Sequence, residues 1–311
     1  RLTGIGKTMT GTVTTPIVAG FTYAAKSAID FNSQIQSMGP LLTNGGAVTA
    51  KYKAQLDQLS NASLKWSKQY GVSTENINEG ISELIRNGYD VQQTLGAMPN
   101  ILDASKASGE DFNEVMTVTT ATLEQFNLKG KTTNETLKNT QRVADVLTYV
   151  ANATSTGFSE IGEAMTYVGP TANAANISLE ETAGALGVLA QNGIKGSVAG
   201  TSLRSVLNKM LRPTNQQIKA FKELGVNIED FSKGTLPLPD MLEKIKKHTA
   251  DWNNEKRASV VATAVGTEAQ AGFNTLVKDG GKALREYTKG AQESGGMTKK
   301  IADQLNNTEK A

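Results

Sequence analysis

The stretch "NGIKGSVAGTSLRS", Asn192–Ser205, sets three glycines just ahead of a helical run, and its reading decides what kind of molecule this is. Glycine-rich loops that feed a helix N-terminus can cradle phosphate, because free backbone N–H groups and the helix dipole both favour an anion there. The nucleotide-binding form needs G-x-x-x-x-G-K-[ST] after a buried strand. Here Gly200 is followed by Thr201 and Ser202, with no lysine. The preceding "ETAGALGVLAQ" has a helical pattern and no β-branched run. The other reading is a packing turn. Gly193 supplies a left-handed residue after the helix that opens at Ser178. Gly196 and Gly200 then keep the next helix slim enough to press onto that helix.

Working outward, the same contest recurs and resolves the same way. "GIGKT" at Gly4–Thr8 lacks the required first glycine, since Arg1 stands in its place. There is one histidine, His248, after "KIKK", where the last turn of a helix accounts for it. No HExxH or carboxylate–histidine cluster is present, and there is no cysteine, so zinc and thiol chemistry have no ligands. Glu180 and Glu181 fall in a first helical turn, which capping and the helix dipole explain. Arg212 and Lys244–Lys247 read as surface charge and not as a groove. The formal charge of +2 with interspersed signs gives no basic face for nucleic acid. No catalytic, cofactor-binding or metal-binding residue is assigned, and no cofactor is expected.

The helical texture is continuous, and nothing alternates with period two for long, so the class is all-α. Residues 1–15 read as a flexible Gly- and Thr-rich arm. Thr15-Pro16 opens a helix whose apolar residues, Ile17, Phe21, Ala24, Ala28, Phe31, Ile35 and Met38, are spaced alternately four and three apart. That is a heptad seam, suited to a partner helix or to another copy of the chain. Gly39-Pro40 is expected to end it. A helix from about Val48 to Tyr70, with Tyr52, Leu56, Leu59, Ala62 and Trp66 on its apolar line, makes 16–70 a helical hairpin or coiled-coil segment.

Residues 71–296 read as a core module of short helices punctuated by caps and glycines. Asp90, Asp111, Ser178 and Asp240 are the expected helix-opening caps, and Ser73 to Arg86 is expected to be helical. Pro99 and Pro170 are expected to interrupt their helices. "VNIEDFSKGTLPLPD", Val226–Asp240, is expected to be irregular, with room for a short strand. At an offset of 67 residues Val91 matches Phe158, Met98 matches Met165, Gly109 matches Asn176 and Asp111 matches Ser178. This predicts a duplicated hairpin unit at about 91–127 and 158–194. Residues 297–311 read as the start of a further helix. An opening Arg1 in place of Met, and an ending in mid-pattern, read as a piece of a longer polypeptide.

Several of these segments together resemble the core region of phage tail tape-measure proteins of the lactococcal-type siphophage group. The similarity runs from "VTTPI" at Val13–Ile17 to "SGGMTKKIADQLNN" near the end, through "DFNSQIQSM", "ATLEQFNL" and "ADVLTYVANAT". Its most specific part is "EAMTYVGPTANAANISLEETAGALGVLAQNGIKGSVAGTSLRSVLNKM". Val265-Gly266 stands where the family has a phenylalanine-glycine pair, and much of the family's long helical ruler is missing. The resemblance implies a structural virion protein held inside the tail tube in several copies. It would set tail length during assembly in the host cytoplasm and leave with the genome at ejection. Its implied partners are itself, tail tube and tail-tip proteins, tail assembly chaperones and, on ejection, the host envelope, with no sequence-specific nucleic acid. Two other readings stand beside it: a helical cell-wall hydrolase module, and a membrane-active segment around Ala183–Val206.

Overall fold

The computed structural model describes residues 15–47 and 49–308, with side chains from 27 to 307. Among the described residues there are fifteen helices and no strand. They are α1 (Thr15–Leu42), α2 (Ala50–Tyr70), α3 (Thr74–Arg86), α4 (Val91–Ser108), α5 (Phe112–Gln125), α6 (Thr133–Ala153), α7 (Phe158–Ala174) and α8 (Leu179–Gln191), followed by α9 (Gly196–Leu211), α10 (Asn215–Glu223), α11 (Ile228–Ser232), α12 (Leu238–His248), α13 (Asn254–Val265), α14 (Gln270–Gln292) and α15 (Met297–Thr308). The chain divides into two compact units, 1–95 and 96–311.

In the first unit α1, α2 and α3 pack together. Their shared core holds Ile35, Met38, Leu56, Leu59, Trp66, Ile77 and Ile81. One polar chain is buried with them: the Ser63 hydroxyl donates to Asn78 Oδ1, and Asn78 Nδ2 donates to Gln34 Oε1. Of the heptad seam, Ile35 and Met38 are buried, Phe31 is half-buried and Ala28 is exposed. The side chains of Ile17, Phe21 and Ala24 lie outside the described residues.

The second unit is built in two layers. One holds α5, α7 and α9, the other α6, α8 and α14, and α7 touches α6 and α8 across the layers. Within the first layer Gly162 lies against Val118 and Gly169 against Gln125, in step along both chains, so α5 and α7 run parallel. In the second, Gly184 meets Thr288 while Gly272 meets Leu189, so α8 and α14 run antiparallel. Phe221 of α10 packs edge-on against Phe273 of α14, with ring centroids 6.4 Å apart.

Local signals set most helix ends. Asp90 and Gln93 form a reciprocal capping box at 2.8 Å in each direction. Ser73, Asp111 and Ser178 each accept from a backbone N–H in the first turn of their helices. Gly71, Gly88 and Gly109 supply left-handed residues after α2, α3 and α4.

Four expectations fail. Pro99 and Pro170 lie inside continuous helices, and α1 runs through Pro40 to Leu42. A proline inside a helix costs about 3 kcal/mol. Burial of a large apolar side chain returns about 1.5–3 kcal/mol, and Met98, Ile101 and Leu102 around Pro99 are all buried. Within Val226–Asp240 there is no strand but the short helix α11, with Ile228 and Phe231 buried. Asp240 is not a cap either. Pro237 takes the N-cap position, its fixed φ suiting a helix start, and Asp240 falls in the first turn.

Candidate functional site

The glycine turn connects α8 to α9. Gly193 has φ +79° and Gly196 φ +52°, both in the region that favours glycine. A Cβ on Gly200 would collide with the backbone carbonyl of Ala164. The close approach is therefore made to α7, not to the α8 helix named from sequence. The reason lies in the layers: α7 and α9 are neighbours in one sheet of helices.

The N-terminus of α9 has the donors an anion would need, but carboxylates of α7 stand beside it. Glu163 Oε2 sits 2.6 Å from the place a Gly196 Cβ would take. Glu160 pairs with Lys195 at 3.9 Å. A groove of about 560 Å³ beside them, between α5 and α7, is lined by Glu114, Glu160 and Glu163 over a floor of Val118, Ala121 and Gly162. Three carboxylates there repel phosphate.

At other helix starts a distant carboxylate of the chain does accept the free N–H groups, and sequence reading missed it. Glu110 closes α7: its two carboxylate oxygens accept from the Phe158 and Ser159 N–H groups, each at 2.7 Å. Asp145, buried on α6, accepts from Gly296 at 2.7 Å and Thr298 at 3.0 Å and so closes α15. Glu243 of α12 accepts from the Lys282 N–H at 3.1 Å, just past the kink in α14 where Gly280 has φ +76°. A glycine precedes the capped turn each time: Gly157, Gly296 and Gly280. A side chain at Gly157 or Gly280 would come within 2.6 Å of the capping oxygen.

Glu180 has a partner beyond its own helix. Arg142 of α6 grips it with two parallel bonds, Nε to Oε1 at 2.6 Å and Nη2 to Oε2 at 2.7 Å. Burial pushes the Glu180 carboxyl up. Hydrogen bonds from Arg142, the backbone and Ser178, with the Arg142 charge, outweigh burial and hold it below the usual carboxylate range. Next to it Glu181 is held above that range by burial and then by the charge of Asp240.

His248 is exposed at the last residue of α12, edge-on to Trp252 at 6.2 Å. Among the described residues no three His, Cys, Asp or Glu side chains group as metal ligands. No helix among them is long and apolar enough to cross a membrane. The lysine run departs from its sequence reading. Lys246 lines a cavity of about 580 Å³ together with Arg257 and Lys278, because α12, α13 and α14 converge there.

The sequence model of the phage-related minor tail protein family matches residues 60–266. The chain is 29% identical over 304 residues to the tape measure protein of Pneumococcus phage Dp-1, covering 98% of this chain and 25% of that protein. It is 26% identical over 278 residues to the probable tape measure protein of Escherichia phage P2, covering 88% and 32%. Over 289 residues it is 26% identical to the probable tape measure protein of Clostridium phage phiCD119, covering 86% and 29%. The chain thus spans about a quarter to a third of the length of these curated relatives. No solved structure matches it. With the family model matching more than half of its length, through the glycine turn and the capped helices on either side, the chain belongs to the phage-related minor tail proteins.

Proposed function

We propose that this chain is a folded structural module of a tape-measure protein, non-enzymatic, and that the measuring helix lies outside residues 71–296. Such a protein acts in tail assembly and length determination and in genome ejection. It lies inside the tail tube in several copies after assembly in the host cytoplasm. Its partners are its own copies, tail tube and tail-tip proteins, assembly chaperones and, on ejection, the host envelope. The relatives named tape measure protein support the role.

The carrying observation for a module is the Asp145 cap, which joins α6 to a helix 151 residues downstream of it. A rod of one extended helix has no such contact. A duplicated hairpin belongs to this proposal too. At the 67-residue offset, α4 and α7 begin at Val91 and Phe158, and α5 and α8 begin at Phe112 and Leu179. Gly109 and Asn176 both have positive φ, +72° and +56°.

The test is an in-frame deletion of Val91–Gly157 in the phage gene, with tails measured by electron microscopy. A measuring helix shortens tails by about 1.5 Å per deleted residue. The module reading expects no infectious tails, or lengths unrelated to the deletion. Viable tails shortened in that proportion would overturn it.

A further inference from the structure

The cavity formed by α12, α13 and α14 gathers cations from three helices. Several cations of the second unit are matched: Arg142 with Glu180, Lys195 with Glu160, Lys209 with Glu268, Lys256 with Glu223 and Arg285 with Asp240. Among the described residues, Lys246, Arg257 and Lys278 have no carboxylate within ion-pair distance, and all three line this one cavity. No Asp or Glu lines it. Asp279 stands beside it, held at 2.5 Å by the Asn192 amide. The Glu243 carboxylate on α12 accepts the Lys282 N–H, and it and the Lys246 ammonium both lie against Gly280, outside the cavity lining but close to it.

Arg257 carries the argument furthest. One arm of its guanidinium donates to the Thr249 carbonyl at 2.5 Å, which fixes the plane of the group. Its Nε is buried and has no acceptor. With Nε shut away from solvent, the guanidinium can offer a ligand only its terminal nitrogens. The cavity it borders has a volume of about 580 Å³, within the range of small-molecule sites. Asn274 and Thr275 of α14 add an amide and a hydroxyl to the same wall. Planar guanidinium donors, two ammonium groups and neutral donors without a competing carboxylate fit a tetrahedral oxyanion.

We propose that this cavity is a binding site for a phosphate group, with Arg257 as the anchor and Lys246 and Lys278 as the flanking charges. The phosphate can belong to a free phosphorylated molecule or to the phosphodiester of a nucleic acid. The site is independent of the glycine turn, which carboxylates flank.

Isothermal titration of this chain with inorganic pyrophosphate at low ionic strength is the direct test. The double variant Lys246→Gln, Lys278→Gln removes two exposed charges that hold nothing in the fold, and it should weaken binding roughly tenfold or more. Lys244→Gln with Lys247→Gln, on the same helix but outside the cavity, should leave binding unchanged. Arg257→Gln should abolish binding, with the melting curve checked because of the Thr249 contact. A short thymidine oligonucleotide that displaces pyrophosphate, with strong salt dependence, assigns the phosphate to a polymer. Failure to displace it assigns a free phosphorylated molecule. No heat at millimolar pyrophosphate, or equal losses in the two lysine pairs, would overturn the site.

Discussion

The Asp145 carboxylate accepts the Gly296 N–H at 2.7 Å, and with it the start of the last described helix is held by the middle of the chain. Asp145 is 2% exposed, so its carboxylate cannot turn to water instead. Asp145→Ala leaves two backbone donors without this acceptor and should cost about 1–3 kcal/mol. Urea unfolding will measure it, and hydrogen exchange should locate the loss at α15. Unchanged protection there would mean that the cap contributes nothing.

Gly200 makes a sharper steric case. Its missing side chain lets α9 rest on the Ala164 carbonyl, which is backbone and cannot swing aside. Gly200→Leu should destabilise by about 1–3 kcal/mol or more through overpacking. Gly295→Ala is the matched control, because nothing lies within 4 Å of the added carbon. Similar melting temperatures for the two variants would contradict the packing account of the turn.

Two neighbouring glutamates should respond to acid in opposite senses. The folded pKa of Glu180 is depressed from its ordinary 4.5, so its contribution is complete above that value and is lost as the pH falls through the lower folded value. Glu181 is raised, so its ionised form opposes folding near neutral pH, and protonation on acidification relieves that. Glu180→Gln should therefore lower stability at pH 7 and flatten the acid limb of the melting profile. Glu181→Gln should raise stability at pH 7. Thermal melts of both variants from pH 3 to 7 (on the order of the carboxylate range) check the signs, and a shared sign would refute the assignment.

The seam on α1 can be split by mutation. Met38 is fully buried, and Met38→Ala should cost about 2–5 kcal/mol in any oligomeric state. Ala28 is exposed within the chain. Ala28→Asp should leave the melting curve of the dilute protein unchanged and weaken association between copies if the seam continues across them. Sedimentation at rising concentration separates the two effects, and identical association of wild type and Ala28→Asp would remove Ala28 from any seam between copies.

What the sequence made legible follows a physical line. Caps made by a residue at the helix start could be read, as at Asp90, Asp111 and Ser178, because donor and acceptor lie within one turn. Caps supplied by Glu110, Asp145 and Glu243 could not, because their partners lie 39 to 153 residues away. The prolines misled for a related reason: local strain at Pro99 and Pro170 was visible, while the burial that outweighs it is tertiary. The cavity at Arg257 was hidden because its three cations sit on three helices. Lys246 alone, within "KIKK", looks like any solvated turn.

The remote caps also have a direction. Glu110 precedes the α7 start it closes, Asp145 precedes α15, and Glu243 precedes the second half of α14. A ribosome releases the N-terminal part of a chain first. Each of these carboxylates is therefore already synthesised when its helix emerges, and none of these three helix starts waits for a distant clamp still to be made. The order of residues along the gene suits vectorial folding, in which every new helix docks onto surface laid down before it.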